Sequence, residues 1–296
     1  QGVVRMLNTT AKTGLGNINI QPGARLFLSG TSNLNPGQLV DVRSNLTNYA
    51  VVGLAENSPL AAYNLRAAYA GGPQAPSVGA FANSLLASPA TSAGVLAINT
   101  LYTQALPMGS LGDGNWFLGS TTNGSGMNGT FNGTGLTPGA AFNGLGSLAT
   151  YRLGAGGSTL YIGLYPGATG STPNQISGAA NLVIGAPLVN GSAANPSWGT
   201  GTVILNTAQN YTGLTLVNAG STFEFRGNLA TTGIQTLGNA TVVIGGTATI
   251  GSIPTTFRTG VTVRLDSTFD LVSAGASRWG ASNPITLDGG SLVVRG

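Results

Sequence analysis

Glu224, Asp266 and Asp270 are the residues of this chain that come nearest to doing chemistry, because carboxylates sharing a cleft can divide the roles of general acid and general base. On an alternating strand Asp266 and Asp270 have the same parity, so they would leave the same face. That parity also sets them between Val263, Leu265, Phe269 and Leu271, which would point inward, and the acids then read as solvated side chains. A polysaccharide-cleaving site would need several acids converging in one groove, with Ca²⁺ or a flanking Lys or Arg. Seven carboxylates spread over 296 residues do not supply that cluster. Asp41 and Arg43 make an ordinary same-face pair.

Two further stretches invite a chemical reading and fail it. Ser110-Leu-Gly-Asp-Gly-Asn115 has the flavour of a calcium-binding glycine-aspartate turn, but it occurs once, and hard cations need several oxygen ligands. Gly144-Leu-Gly-Ser-Leu-Ala149 fits a dinucleotide fingerprint in spacing, yet a strand, Tyr151-Arg-Leu153, follows it where a helix N-terminus would have to receive the phosphates. The chain has no Cys and no His, which removes disulfide frameworks, Cys/His zinc sites and His-dependent nucleophiles. No catalytic, cofactor-binding or metal-binding residue is therefore expected, no cofactor is expected, and the chain does not read as an enzyme.

Charge narrows the partners. The net charge of +4 arises from 11 basic and 7 acidic residues in a nearly uncharged sequence. Its cations (Lys12 and Arg5, Arg25, Arg43, Arg66, Arg152, Arg226, Arg258, Arg264, Arg278 and Arg295) are dispersed, whereas nucleic-acid binding needs them clustered against phosphates. No apolar run is long enough to span a bilayer, so no nucleic-acid partner and no transmembrane segment are expected. The opening at Gln1, without Met or a signal sequence, leads to the expectation that a leader or longer N-terminal part has been removed. Asn-x-Ser/Thr sequons at Asn8, Asn45, Asn123, Asn128, Asn132, Asn190, Asn210 and Asn239 are numerous, but a composition this rich in Asn, Ser and Thr generates them freely. Repeated Asn and Thr at corners read better as hydrogen-bonding ladders.

The elements behind these residues repeat one phrase: an alternating apolar pair, a polar corner, another alternating pair. It appears as Leu214-Thr-Leu216, Val217 to Thr222, Phe223-Glu-Phe225, again as Ile285-Thr-Leu287, Asp288 to Ser291, Leu292-Val-Val294, and already at Asn17 to Leu28. Equivalent strands return after about 20 to 24 residues, within the range of solenoid repeats. The 48 glycines suit tight corners between short strands, and 42% hydrophobic residues are too many for a disordered chain. The expected fold is all-β, a right-handed parallel β-helix with a short helix-containing insertion, one domain overall. First turns occupy 1–58, the insertion or cap 59–90, and the same solenoid continues over 91–296, ending within the phrase.

Within that frame Val203, Leu205, Leu214, Leu216, Phe223, Phe225, Val263, Leu265, Phe269, Leu271, Ile285 and Leu287 should face inward, and Thr202, Thr215, Glu224, Arg264 and Thr286 outward. Ser58 as N-cap, Pro59 as first helical residue and Leu60, Tyr63 and Ala67 at helical spacing predict a helix over Pro59 to Ala70. Its segment would supply a protein contact or cover the coil. Ser120 to Gly139, dominated by Gly, Asn, Ser and Thr, reads as a loop-rich layer.

Four stretches then carry a family likeness: Asp113-Gly-Asn-Trp-Phe-Leu-Gly119, Tyr151 to Gly157, Asn181 to Gly191 and Thr202 to Gly213. With Asn210-Tyr-Thr-Gly-Leu-Thr-Leu-Val-Asn-Ala-Gly-Ser221, from whose pattern Gln209 and Leu214 depart, the chain resembles the autotransporter-associated β-strand repeat proteins of bacteria, such as large planctomycete and verrucomicrobial surface proteins. The resemblance implies a right-handed β-helix in an extracellular, passenger-like region, and it implies no catalytic residues. The expected role is a structural or adhesive module at the bacterial cell surface, which self-associates end to end or laterally into a filament or layer and meets a cell-surface or polysaccharide ligand. The alternative is a carbohydrate-binding or polysaccharide-cleaving β-helix protein. Aromatics separate the two: a sugar platform would line up Trp116, Trp198 and Trp279 outside, and their irregular spacing favours the core.

Overall fold

The computed structural model describes residues 2–44, 48–63, 65–69, 94–111, 114–121, 128–164, 174–187 and 198–245, and beyond these the backbone of four strands between 255 and 295. Within them the fold is all-β, with long parallel sheets and 6% helix, the latter in short 3₁₀ turns such as Thr31–Asn33 and Met108–Ser110.

The largest sheet has eleven strands in the order β1 (Val3–Met6), β3 (Arg25–Leu28), β5 (Val51–Leu54), β7 (Val95–Ile98), β9 (Phe117–Gly119), β11 (Thr150–Ala155), β14 (Asn181–Ile184), β17 (Leu214–Val217), β19 (Gly233–Thr236), β21 (Thr255–Phe257) and β23 (Ile285–Leu287). An eight-stranded sheet takes the strands that fall between: β8 (Leu101–Tyr102), β10 (Gly129–Phe131), β12 (Thr159–Ile162), β15 (Thr202–Leu205), β18 (Thr222–Phe225), β20 (Thr241–Ile244), β22 (Thr262–Asp266) and β24 (Ser291–Arg295). Two smaller sheets hold β2 (Ile18–Ile20), β4 (Val40–Ser44) and β6 (Leu65–Tyr69), and β13 (Ser177–Gly178) with β16 (Asn210–Tyr211). All the named strand pairs are parallel, and the register is regular: Thr202 pairs with Thr222, Thr222 with Thr241 and Thr241 with Thr262.

Parity along the strands explains the main core. In β12, β15, β18 and β20 the residues Leu160, Ile162, Val203, Leu205, Phe223, Phe225, Val242 and Ile244 are fully buried in one cluster with Leu28, Leu54, Ile98, Leu118, Leu153, Leu182 and Ile184 from the eleven-stranded sheet. Full burial of each such side chain contributes about 1.5–3 kcal/mol. The eleven-stranded sheet is also buried on its other face, where Tyr49, Val51, Val95, Phe117, Val183 and Leu216 form a second cluster roofed by Phe142, Leu145 and Trp198. One irregularity interrupts the ladder: the register between β9 and β11 shifts at Gly154, whose φ of 83° only glycine adopts without strain.

The second cluster corrects two inward assignments. Leu214 and Leu216 pack in the outer layer, while Thr215 and Val217 turn to the inside. Thr215 is fully buried there because its hydroxyl is satisfied, bonded to Tyr211 Oη at 2.6 Å and donating to Thr231 Oγ1 at 3.1 Å, with Thr231 donating in turn to the Gly213 carbonyl. Val203, Leu205, Phe223 and Phe225 are inward as expected. The expectations for Phe269 and Leu271 lie outside the described residues, as do those for the side chains of Val263, Leu265, Ile285 and Leu287.

The helix expected over Pro59 to Ala70 does not form in its described part. Leu60–Tyr63 is one 3₁₀ turn and Leu65–Tyr69 is β6, paired in parallel with β4 from Val40↔Leu65 to Ser44↔Tyr69. Leu60, Tyr63 and Leu65 all enter the main core, so sheet pairing and burial win over helix propensity, and the i, i+3 spacing of Leu60 and Tyr63 serves the tight turn. The rest of the 59–90 segment, from 70 on, lies outside the described residues. Ser120 to Gly139 is likewise more than a loop layer, since β10 runs within it and joins β8 and β12.

Candidate functional site

The acids singled out in the sequence do not converge. Glu224 lies on β18, and in Cα register it is followed by Val243 and Arg264 on the next two strands. Its carboxylate accepts from Arg226 Nε, and Arg226 Nη1 also donates to Asn206 Oδ1 at 3.1 Å, so Glu224 is held in a local network. Asp266 sits on β22 opposite Arg295 of β24, two residues further along the strand than Arg264, the position in register with Glu224. Asp270 lies outside the described residues. Asp41 and Arg43 form the expected pair, with Nη2 to Oδ2 at 3.7 Å. Among the described residues no group of three or more Asp or Glu could hold a metal ion.

The other motifs have structural roles. Asp113 lies outside the described residues, but Gly114 adopts φ 71° and its carbonyl accepts from Arg152 Nη1 at 3.0 Å. In the fingerprint-like stretch, Gly144 and Gly146 are left-handed, Leu145 is buried in the outer cluster, and β11 follows. Corner asparagines do bond between neighbouring strands, mainly to backbone: Asn99 Nδ2 to Thr121 O (2.9 Å), Asn218 Nδ2 to Gly185 O (2.7 Å), and Leu214 N to Asn181 Oδ1 (2.9 Å). Among the sequons, Asn8, Asn210 and Asn239 are exposed.

Arg152 is the charged residue that sequence reasoning passed over. It stands on β11 pointing into the outer layer, 6% exposed, where Nη1 donates to Gly114 O and to Ala140 O at 2.7 Å and Nη2 to Ala141 O at 3.3 Å. Its guanidinium carbon lies 5.6 Å from the Phe142 ring centroid. Burial pulls its pKa down to about 10, so it remains charged at neutral pH and clamps the 139–149 strap over the sheet. The only sequence signal was a lone arginine in an apolar strand beside a glycine-rich stretch.

The outward side of the eight-stranded sheet is organised differently. Thr159, Thr202, Thr222 and Thr241 occupy one register position on four consecutive strands, each partly exposed, and each alternating with the buried core residue that follows it. Strand spacing sets their separation at about 4.8 Å. Among the described residues none of the four hydroxyls has a partner. Backbone register continues the row to Thr262 and Ser291. Beside it runs a second row, Thr130, Tyr161, Ile204, Glu224 and Val243, in which Tyr161 is partly exposed and Thr130 Oγ1 is buried without a partner.

The remaining described aromatics divide between the two clusters, with Trp116, Tyr63, Tyr102, Tyr151 and Tyr211 in the main core and Tyr49, Phe117, Phe142 and Trp198 in the outer layer. Trp116 is buried, as are Tyr49, Tyr63, Tyr102, Tyr151 and Tyr211, while Trp198 is half-buried against the outer layer. Burial raises the phenols of Tyr49 and Tyr102 to about 12 and pushes Tyr63 and Tyr211 up as well, Tyr63 with help from Glu56. The folded state therefore keeps these protons where the unfolded chain, with phenols near pH ~10, would release them. Their contribution is complete below about pH 10 and is lost as pH rises towards 12; Arg152 acts with the opposite sign but is one group against four. Ultraviolet titration should show these four phenolates appearing only together with loss of the β signal. Smooth ionisation near pH ~10 with the fold intact would contradict their burial.

No protein-family model, curated protein or solved structure matches the chain.

Proposed function

We propose that the parallel sheets are the walls of a right-handed β-helix, and that the chain is an extracellular structural and adhesive module of a bacterial surface protein of the autotransporter-associated β-strand repeat kind. The observation that carries this reading is the strand order: the chain steps between the eleven-stranded sheet and the sheets beside it, first the one of β2, β4 and β6 and from β8 onward the eight-stranded one, and each sheet adds its own strands in sequence order. A chain that does so lengthens by stacking, and a stiff rod with side chains presented along its walls is what that architecture provides. Side-chain to backbone bonds between neighbouring strands, and a core continuous from Ile20 to Ile244, support stiffness.

The module is not an enzyme in this reading; Glu224 is engaged by Arg226, and the aromatics serve the core more than an outer platform. Self-association end to end, into a filament or surface layer, is part of the proposal. Negative-stain microscopy of the purified chain is the test. Rods, single or joined into filaments, are expected, and compact particles would refute the reading. Incubation with neutral and acidic polysaccharides, with and without Ca²⁺, should give no turnover; turnover abolished by Glu224→Gln would reverse the non-enzyme assignment.

A further inference from the structure

We infer that Asn8 is a site of N-linked glycosylation, at which the side-chain amide nitrogen receives a sugar from a diphosphate-activated donor. The inference adds a modification to the surface module proposed above and stands on the geometry of one turn, independently of the β-helix reading.

A composition rich in Asn, Ser and Thr makes sequons freely, so the setting of each one decides. Asn45, Asn123 and Asn190 lie outside the described residues. Asn128 and Asn132 are half-buried, and their Oδ1 atoms accept from Ser158 Oγ at 3.2 Å and from Gln175 Nε2 at 3.4 Å. Asn210 is exposed but stands on β16 in register with Ser177, the next residue, Tyr211, is fully buried, and Thr212 N and Oγ1 both donate to the Gly178 carbonyl. After Asn239 the chain enters β20, with Ala240 fully buried and Thr241 N bonded to the Ser221 carbonyl. A transferase must reach the asparagine and the hydroxyl residue together, and none of these four sequons offers both.

Asn8, Thr9 and Thr10 are all exposed, on a turn that follows β1. Thr10 N and Thr10 Oγ1 both donate to Asn8 Oδ1 at 2.9 Å, which closes an Asx turn and brings the hydroxyl against the acceptor amide. A backbone N–H can only donate, so the atom it meets is Oδ1 and the amide nitrogen is the one left over; among the described residues Nδ2 has no acceptor. Two donors on Oδ1 draw electron density towards the oxygen and make the amide N–H more acidic, which is what a weakly nucleophilic amide needs. The backbone of the turn is pinned from the other side: the Asn8 carbonyl accepts from the buried Asn33 Nδ2 at 2.9 Å and from Ala11 N at 3.1 Å, and the Thr9 carbonyl from Ser32 Oγ at 2.7 Å. The turn's backbone is therefore answered within the protein while its side chains stay exposed. In the transfer Nδ2 attacks the anomeric carbon of a nucleotide sugar or of a lipid-diphosphate-linked oligosaccharide. A C–N bond forms, the bond from that carbon to the diphosphate oxygen breaks, the diphosphate leaves with the electron pair, and one amide proton passes to a base of the transferase.

The test uses the full chain isolated from the cells that make it. Trypsin cuts after Arg5 and Lys12 and frees residues 6–12 as a peptide with a single sequon, which electron-transfer fragmentation reads residue by residue. A sugar on Asn8 is expected. A single hexose marks a nucleotide sugar as the donor, and a preassembled oligosaccharide marks a lipid diphosphate. Asn8→Gln and Thr10→Val, made in the same cells, should each abolish the modification and Thr10→Ser should keep it, all three with an unaltered circular dichroism spectrum because the residues are exposed. An Asn8 left bare in the native chain, whether or not Asn210 or Asn239 carries sugar, a sugar on Thr9 or Thr10 in its place, or modification that survives Thr10→Val would each overturn the assignment. Rods in the micrographs alongside any of those results would leave the β-helix reading standing and remove only the modification.

Discussion

Phe223→Ala is expected to lower stability by about 3–5 kcal/mol, the cost of emptying a fully enclosed aromatic site. Phe223 is completely buried, its ring centroid lies 5.6 Å from that of Phe225, and its strand neighbours in register are Val203 and Val242, so no flexible surface can collapse into the void. Chemical denaturation measures the loss. In a stack where each layer contacts only its neighbours the damage is local, so hydrogen exchange should accelerate in β15, β18 and β20 before it does in β3 or β5. Thr222→Val, one residue away but pointing outward, should change stability by no more than about 0.5 kcal/mol. Equal costs at the two positions would mean that the parity of β18 has been misassigned.

Arg152→Met is the second large effect, about 2–4 kcal/mol, because it leaves the buried Gly114 carbonyl and the partly buried Ala140 and Ala141 carbonyls without their charged donor and strips a buried side chain of its bonds. The Gly114, Ala140 and Ala141 carbonyls come from two separate stretches, and only a planar fork reaches both at once. Lysine, a single point donor, should recover little of the loss. Limited proteolysis distinguishes this from general destabilisation: cleavage should appear first in the 139–149 strap while the eight-stranded sheet stays protected. A strap that resists protease in the Met variant would show that Phe142 and Leu145 hold it without the clamp.

What could be read from the sequence divides along physical lines. Where one face of a strand is solvated, as in Thr222-Phe-Glu-Phe225, period-2 alternation is unambiguous and the core residues follow from it. Where both faces are buried the signal reverses meaning: Leu214-Thr-Leu216 reads as leucines inward, yet the outer layer claims the leucines and a hydroxyl network makes Thr215 a core residue. Pro59 to Tyr69 failed for a related reason. Its capping residues and i, i+3 apolar spacing are valid local signals, but pairing of β6 with β4 is a long-range term that a local window cannot contain. The threonine row is legible only through register, since its neighbours in space come from strands 19 or more residues away, and the role of Arg152 only through the pairing that brings Gly114, 38 residues earlier, beside the strap that precedes β11.

Interstrand distances along one wall test the β-helix most directly. With no native cysteine, spin labels can be attached at Thr159 together with Thr241, Thr262 or Ser291, which lie three, four and five strands away in the eight-stranded sheet. Pulsed electron resonance should then give separations of about 14, 19 and 24 Å, growing by one strand spacing of about 4.8 Å at each step. A separation that stays constant, or shortens between Thr262 and Ser291, would contradict strands stacked in sequence order and with it the β-helix.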